Sequence, residues 1–546
     1  MFLVAIFTFY LSVVVMLQWA GGAFEADIGA LHDDSAHYVT GLMVRDYIAA
    51  RAPSPPMQFA KDYFLHYPRV GLGHWPPFFY VVEAVWMLVF SASTVSVMLM
   101  MALLTALLAL TTYLVVGAEF GRILGAAAGL LLICLPLVQK STGVVMLEVP
   151  TALLSFWAVL LFARYLDSGK WIDSAGFGVI ASLAILTHGV AFFLALVPPI
   201  GAVLQRRVRL LAHSHFWLPA VIVLALCGPW YLLAPGARHE YAVSTAGLNF
   251  APDQTSYASS DLLRTTGAVL LALMVIGLID RVPLPLFKGK APSARWACAA
   301  AAALGFFVFR VMVSPAIDPR HLVVILPAAV MFSVAGLVCL SHRLPMLCAS
   351  LRKRQMALAS IAGLAFGVEA FTVPRQPSPT FSVIAKDLVR NPEFQNSVFL
   401  ISSDASEREG QFIAQVARHE KRPGHFVLRA TKTLAKMELL GNDYSVLHRT
   451  PDEMMRYLES VPVGVLVMDN CPGLGRMEHQ SLLKQTLEHR ARDWRLVSSY
   501  PCPDENAVST SRILVYSLLG HTSTARPEIR LDMRNRLNEV FVNSRP

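Results

Sequence analysis

The chain has 546 residues, of which 55% are hydrophobic and 15% charged, with a formal net charge of +9. A soluble domain carries about 25% charged residues, so this balance excludes an ordinary soluble protein and indicates a membrane protein with many spans. The positive charge does not indicate nucleic acid, because the basic residues cluster in short loops between apolar runs, as the positive-inside rule produces.

The chain opens with an apolar run, 1–20, long enough to cross a bilayer. It lacks a basic leading region and reads as an uncleaved first helix. Shortly after comes "LHDDSAHY", where Asp33 and Asp34 stand between His32 and His37, with Tyr38 following. Adjacent carboxylates repel, so a cation, a partner or a reaction is expected to use them; the plain alternative is a solvated loop. The stretch "HYPRVGLGHWPPFFY" adds His66, Tyr67, Arg69, His74 and Trp75 before a Pro-Pro step. The segment 76–93 is apolar but short and carries Glu83, so it reads as interfacial or re-entrant.

Ten more spans are expected at 94–117, 122–138, 149–166, 172–187, 189–205, 216–234, 262–280, 296–313, 321–341 and 355–372, eleven in all. Leaving 76–93 out of the count puts the basic loops at Arg122, Lys170, 206–209, 281–295 and 343–354 on one side, which fixes that side as cytoplasmic. The N-terminus is then cytoplasmic. The loop 21–93, the loop 139–150 with Glu148, "HGV" with His188, the loop around 235–261 and "SPAIDPRH" with Asp318, Arg320 and His321 lie outside. Arg310 falls within a span, where a charge is costly and marks a site or a paired ion.

After residue 372 a Pro-rich linker leads into a different composition. "SVFLISSD", "HFVLRA", "VGVLVMDN", "WRLVSSY" and "RILVYSL" read as strands, and 404–421, 451–460 and 474–491 as amphipathic helices. The expectation is an extracytoplasmic α/β domain over 373–520 and a polar tail over 521–546. No GxGxxG follows a strand, so no nucleotide site is assigned. Of the seven cysteines, Cys471 and Cys502 lie in this domain and could pair in an oxidising space.

The outer polar groups suit group transfer from a lipid phosphate. A carboxylate can act as general base toward an acceptor hydroxyl, and arginines can hold a phosphate by charge-assisted hydrogen bonds. Carboxylates and histidines could instead hold a divalent metal. The candidates for that metal are Asp33, Glu148 and His66.

The order of these features resembles the GT-C glycosyltransferases that use polyprenyl-phosphate sugars, especially the bacterial branch related to the protein O-mannosyltransferases and the lipid A aminoarabinose transferase. Asp34, Ser35 and Tyr38 stand where that family has a "DExxY"-like motif, with Asp33 supplying an acid one residue early. "GHWPPFFY" matches a basic residue before Pro-Pro, "MLEVPTALL" an acid opening a span, "LTHGV" a "TK-G" step with His188 in place of lysine, and "DPRHLVVILP" an "R-Y/H" step opening a late span. The likeness covers roughly residues 1–340.

The resemblance implies a polytopic GT-C fold and inverting transfer of a sugar from a polyprenyl phosphate to an acceptor lipid, glycan or protein outside the cytoplasm of a bacterium. It implies Asp34 as base or acceptor-orienting group, with Asp33 and Glu148 as further acids. Arg320, His188, Arg69 and Arg310 are the candidates for the donor phosphate, and Tyr38, His66, His74 and Trp75 for the substrate lid. Metal dependence is left open. A flippase of lipid-linked glycans is the competing reading, but no internal repeat of the kind transporters carry is evident. A non-catalytic scaffold is the third reading, kept open by Ser35 and His188.

Overall fold

A helix that is apolar all round must face lipid or other helices, and each of the eleven expected spans is helical in the computed structural model. The structure describes residues 1–29, 33–234, 247–313, 318–343, 350–436, 444–472, 477–503, 511–520, 530–532 and 540–542. Most of the expected polar tail over 521–546, much of the loop around 235–261 and His32 lie outside the described residues.

In chain order the helices begin with α1 (Phe2–Ala20), α2 (Asp34–Ala49), α3 (Pro56–His66), α4 (Phe78–Val89) and α5 (Thr94–Phe120). Next come α6 (Arg122–Cys134), α7 (Pro136–Thr142), α8 (Glu148–Ser168) and α9 (Trp171–Ile185). A 3-10 segment, Gly189–Leu196, then runs into α10 (Val197–Leu204). Then follow α11 (Ser214–Leu233), α12 (Gly247–Arg281) and α13 (Ala294–Val313). A second 3-10 segment, Pro319–Ile325, leads into α14 (Leu326–Arg343), and α15 (Leu351–Glu369) closes the series.

Among the described residues seven helices are long and apolar enough to cross a membrane, or eight if the pair α6 and α7, bent by 64°, is one span. The difference from eleven is one of length and composition. At about 1.5 Å per residue, α9 with its 15 residues reaches roughly 22 Å, short of the ~30 Å hydrocarbon core. The segment Gly189–Leu204 is also short, and α15 opens with Arg352, Lys353 and Arg354. The helix α4 has 12 residues and is too short to span.

Packing divides the chain into two units. One comprises Met1–Gly21, Gly73–Phe79 and Leu99–Pro374. Its α1, α5 and α6 meet through Tyr10, Val14, Ala102, Ala106, Ala109, Tyr113 and Ile133. The small alanines allow close helix approach, and the Tyr10 hydroxyl donates to the Ala126 carbonyl at 3.0 Å. The segment Pro319–Arg343 is buried along its whole apolar window, so it is packed by protein on all sides.

The other unit comprises Gly22–Leu72, Tyr80–Met98 and Arg375–Pro546. Its sheet is built from β1 (Val398–Ser403), β2 (Val427–Arg429), β3 (Val463–Asp469), β4 (Trp494–Pro501) and β5 (Arg512–Leu518), in the order β2-β1-β3-β5-β4. β1 is parallel to β2 and β3, while β5 is antiparallel to β3 and β4. β1 and β3 are buried at every position, which is why both read as continuous apolar runs. Helices α16 (Thr380–Arg390), α17 (Ser406–His419), α18 (Pro451–Ser460) and α19 (Glu478–His489) accompany the sheet. Cys471 and Cys502 form a disulfide.

The sequence division at 372/373 put the loop 21–93 with the membrane helices, whereas residues 22–72 and 80–98 pack with the sheet. The bonds give the reason. The Asp27 carboxylate accepts from the Phe381 and Ser382 amides at the start of α16. Gln411 donates to the Gly29 carbonyl at 3.0 Å, and Arg422 pairs with Asp46 at 2.6 Å. His66 Nδ1 lies 2.9 Å from the Gly424 carbonyl, and its ring stacks on Phe426 at 4.0 Å.

Candidate functional site

Asp34 opens α2 and is only 1% exposed. Its carboxylate accepts the Gly29 amide at 2.7 Å. Gly29 holds φ at +118°, and a Cβ there would stand 2.7 Å from Gln411 Cγ, so this close turn depends on glycine. Asp33, at the preceding cap position, is only half-buried. The solvated-loop reading therefore does not describe Asp34, whose carboxyl is buried and held.

Ser35, which replaces the second acid of the motif, is fully buried and accepts Arg69 Nε at 2.8 Å. Burial, followed by the charge of Arg429, pushes the Arg69 guanidinium down to about 10, against the pull of Asp33, Glu407 and Glu409. It stays a cation at neutral pH. The structure thus brings Arg69 to the motif through Ser35. His37 Nδ1 and the Tyr80 hydroxyl are 2.8 Å apart. The Tyr38 hydroxyl donates to the Ala92 carbonyl at 2.6 Å and the residue is wholly buried.

In the membrane unit Glu148 opens α8 and is 3% exposed. Arg320 Nε reaches Glu148 at 3.2 Å and Asp318 at 3.3 Å. Asp318 caps the 3-10 segment by accepting the Arg320 amide at 2.9 Å, which fixes the start of that turn and the backbone from which Arg320 extends. His188 Nδ1 accepts the Val190 amide at 3.1 Å, so the ring proton sits on Nε2. Its ring centre is 5.1 Å from that of His321. Glu148, Arg320, Asp318, His188 and His321 thus come from segments far apart in sequence. Two acids flank the arginine, and a pair of imidazoles stands in the same unit.

Arg310 is 3% exposed and lies 3.6 Å from the partly exposed Asp261, which gives its charge within a span a counter-ion. His74 and Trp75 are half-buried, with rings edge-on at 4.6 Å. Just beyond the two prolines the Phe78 amide donates to Leu186 at 2.9 Å. Among the described residues no group of three or more His, Cys, Asp or Glu is gathered so as to hold a metal ion. Asp33, Glu148 and His66 therefore do not form such a site, and His66 is committed to packing against Phe426.

Residues 74–232 match the family model described as dolichyl-phosphate-mannose-protein mannosyltransferase. The fold is shared with ArnT from Cupriavidus metallidurans bound to undecaprenyl phosphate, at 15% identity and a TM-score of 0.53 over 95% of this chain and 99% of that one. It is shared with the oligosaccharyltransferase AglB from Archaeoglobus fulgidus in complex with an inhibitory peptide and a dolichol-phosphate (12% identity, TM-score 0.52, 93% and 75% covered). The mycobacterial arabinofuranosyltransferase AftD also matches, at 14% identity and a TM-score of 0.51 over 94% of this chain and 41% of that one.

The chain has the GT-C fold.

No curated protein sequence matches it. Within this chain the family-model region holds His74, Trp75, Glu148 and His188, while Asp33, Asp34 and Arg69 precede it and Arg310 and Arg320 follow. Sequence reasoning gave no role to Tyr80, the partner of His37, and treated Ser35 as a lost acid rather than as the acceptor for Arg69. No sequence signal marks either, because both roles depend on contacts between segments more than thirty residues apart.

Proposed function

We propose that the protein transfers a sugar from a polyprenyl-phosphate sugar to a hydroxyl of an extracytoplasmic acceptor, with inversion at the anomeric carbon. The observation that carries this reading is Asp34, a carboxylate buried at the start of α2 and aimed by the Gly29 amide. Asp34 takes the acceptor proton as the hydroxyl attacks the anomeric carbon. The bond from that carbon to the phosphate oxygen breaks, and polyprenyl phosphate leaves with the bonding electrons. Arg320, oriented by Glu148 and Asp318, stabilises the charge that grows on the leaving phosphate. His188, with a donor at Nε2, and the cations Arg69 and Arg310 are further phosphate contacts. Asp33 and Glu148 are the secondary acids, and His74 and Trp75 line the lid.

In this reading the membrane is the bacterial inner membrane, with the N-terminus cytoplasmic and the sheet unit outside. Support comes from the basic loops on one side and from the disulfide Cys471–Cys502, a bond that persists in oxidising compartments. The undecaprenyl phosphate bound to ArnT supports the donor class. The test is purified protein in liposomes, supplied with a panel of synthetic polyprenyl-phosphate sugars and an envelope extract as acceptor. Release of polyprenyl phosphate that depends on Asp34 is expected; equal release from Asp34→Asn would remove the reading.

A further inference from the structure

Glu83 on α4 is wholly buried, and the acid motif makes no use of it. Both of its carboxyl oxygens are buried with no hydrogen-bond partner among the described residues. The carboxyl rests on the backbone of Gly41 in α2. A Cβ at Gly41 would stand 2.2 Å from its Oε2 and 2.4 Å from its Cδ, so a side chain there would expel it. About one turn earlier on both helices, His37 meets the Tyr80 hydroxyl at 2.8 Å. Gly41 follows Asp34 by seven residues, about two turns, so both lie on one face of α2.

Such surroundings favour the neutral form of a carboxyl. Burial, and after it the charge of Asp34, pushes Glu83 well above the usual carboxylate range. The titratable groups facing it are Asp34 and Tyr38 from α2; Tyr38 feels Glu83 in turn. Tyr80 stands one turn away on its own helix. α4 is too short to span, so this acid sits beside the transfer site rather than in a membrane-crossing segment.

We propose that Glu83 is a further positioning residue of the transfer site, a neutral acid laid against Gly41 that leaves Asp34 as the ionised member of the pair and whose ionisation switches transfer off. This rests on the reading of Asp34 as base in the section above. Glu83 gives up no proton in the cycle. The donor is a phosphodiester anion, and its phosphate gains charge as it leaves. A second carboxylate beside Asp34 would repel that donor and the charge growing on its phosphate.

The test is the pH profile of kcat/KM, measured with whichever synthetic polyprenyl-phosphate sugar the wild-type protein turns over. Wild type should lose about tenfold per pH unit above the Glu83 ionisation. In Glu83→Gln, which cannot ionise, that alkaline fall should disappear, whatever the absolute rate. A variant that keeps the same alkaline fall overturns the proposal, as does a wild-type profile with no fall. Failure of wild type to turn over any such donor removes the underlying reading, and the proposal with it. If Glu83→Gln does not accumulate, Glu83→Met carries the same expectation. The infrared band of a protonated carboxyl in wild-type protein at neutral pH is a second readout, and its absence overturns the proposal without any variant.

Discussion

Asp33 and Asp34 are chemically identical and adjacent, and their surroundings separate them. Asp34 is 1% exposed and oriented by a backbone amide, while Asp33 is half-buried at the cap position. A general base needs a fixed direction toward its proton, so Asp34→Asn should lower kcat/KM by roughly 10²–10⁴-fold. Asp33→Asn should cost less than about tenfold, because a peripheral charge changes the rate by only about 1 kcal/mol. Parallel steady-state assays check the pair, and equal losses would reopen the assignment. Arg320 presents a planar fork held by Glu148 and Asp318, a geometry a lysine ammonium does not reproduce. Arg320→Lys is expected to weaken binding of undecaprenyl phosphate, read by tryptophan fluorescence, and to lower kcat by roughly 10²-fold.

At the scale of elements, His188 combines two tasks that a single substitution can separate. Its Nδ1 caps the 3-10 segment by accepting Val190, and its Nε2 is the candidate phosphate donor. Asparagine is a strong N-cap, whereas alanine costs about 1 kcal/mol at such a position. His188→Asn should therefore melt within roughly 0.5 kcal/mol of wild type, and His188→Ala should be less stable by about 1 kcal/mol. Both should bind polyprenyl phosphate more weakly. A drop in binding for alanine alone would make the residue a cap and nothing more. The five strands of the sheet were legible in the sequence, because each is a short apolar or alternating run bounded by polar residues. The spans were legible as apolar segments but not as full crossings. Apolar composition does not report that α9 stops at Ile185 or that Leu135 and Pro136 bend the chain between α6 and α7. The capping by His188 was equally hidden, since histidine is not among the usual cap residues.

At the scale of the molecule, composition revealed the membrane helices and the separate sheet. It did not reveal that residues 22–72 pack with that sheet, because the bonds concerned join positions some 350 or more residues apart, as in Asp27 to Phe381 and Gln411 to Gly29. The orientation can be tested directly. Asp452 is an exposed acid at the start of α18, and Asp452→Cys should react with a membrane-impermeant maleimide from outside intact cells. Protection until lysis would reverse the proposed sides. The packing of 22–72 has a consequence for activity as well. Asp34 takes its direction from Gly29, and the Gly29 carbonyl is held by Gln411 of α17. Asp27 is held by the start of α16, and Asp46 by Arg422. Each such buried bond contributes about 1 kcal/mol, and up to about 3 where a charge takes part. Removing residues 375–546 should leave the membrane helices inserted yet abolish transfer, because the loop that aims the base loses those partners. Gln411→Leu is the milder version, expected to lower kcat by about tenfold with KM for the donor unchanged. A truncated protein that still transfers sugar at the wild-type rate would show that Asp34 does not depend on the sheet unit for its geometry.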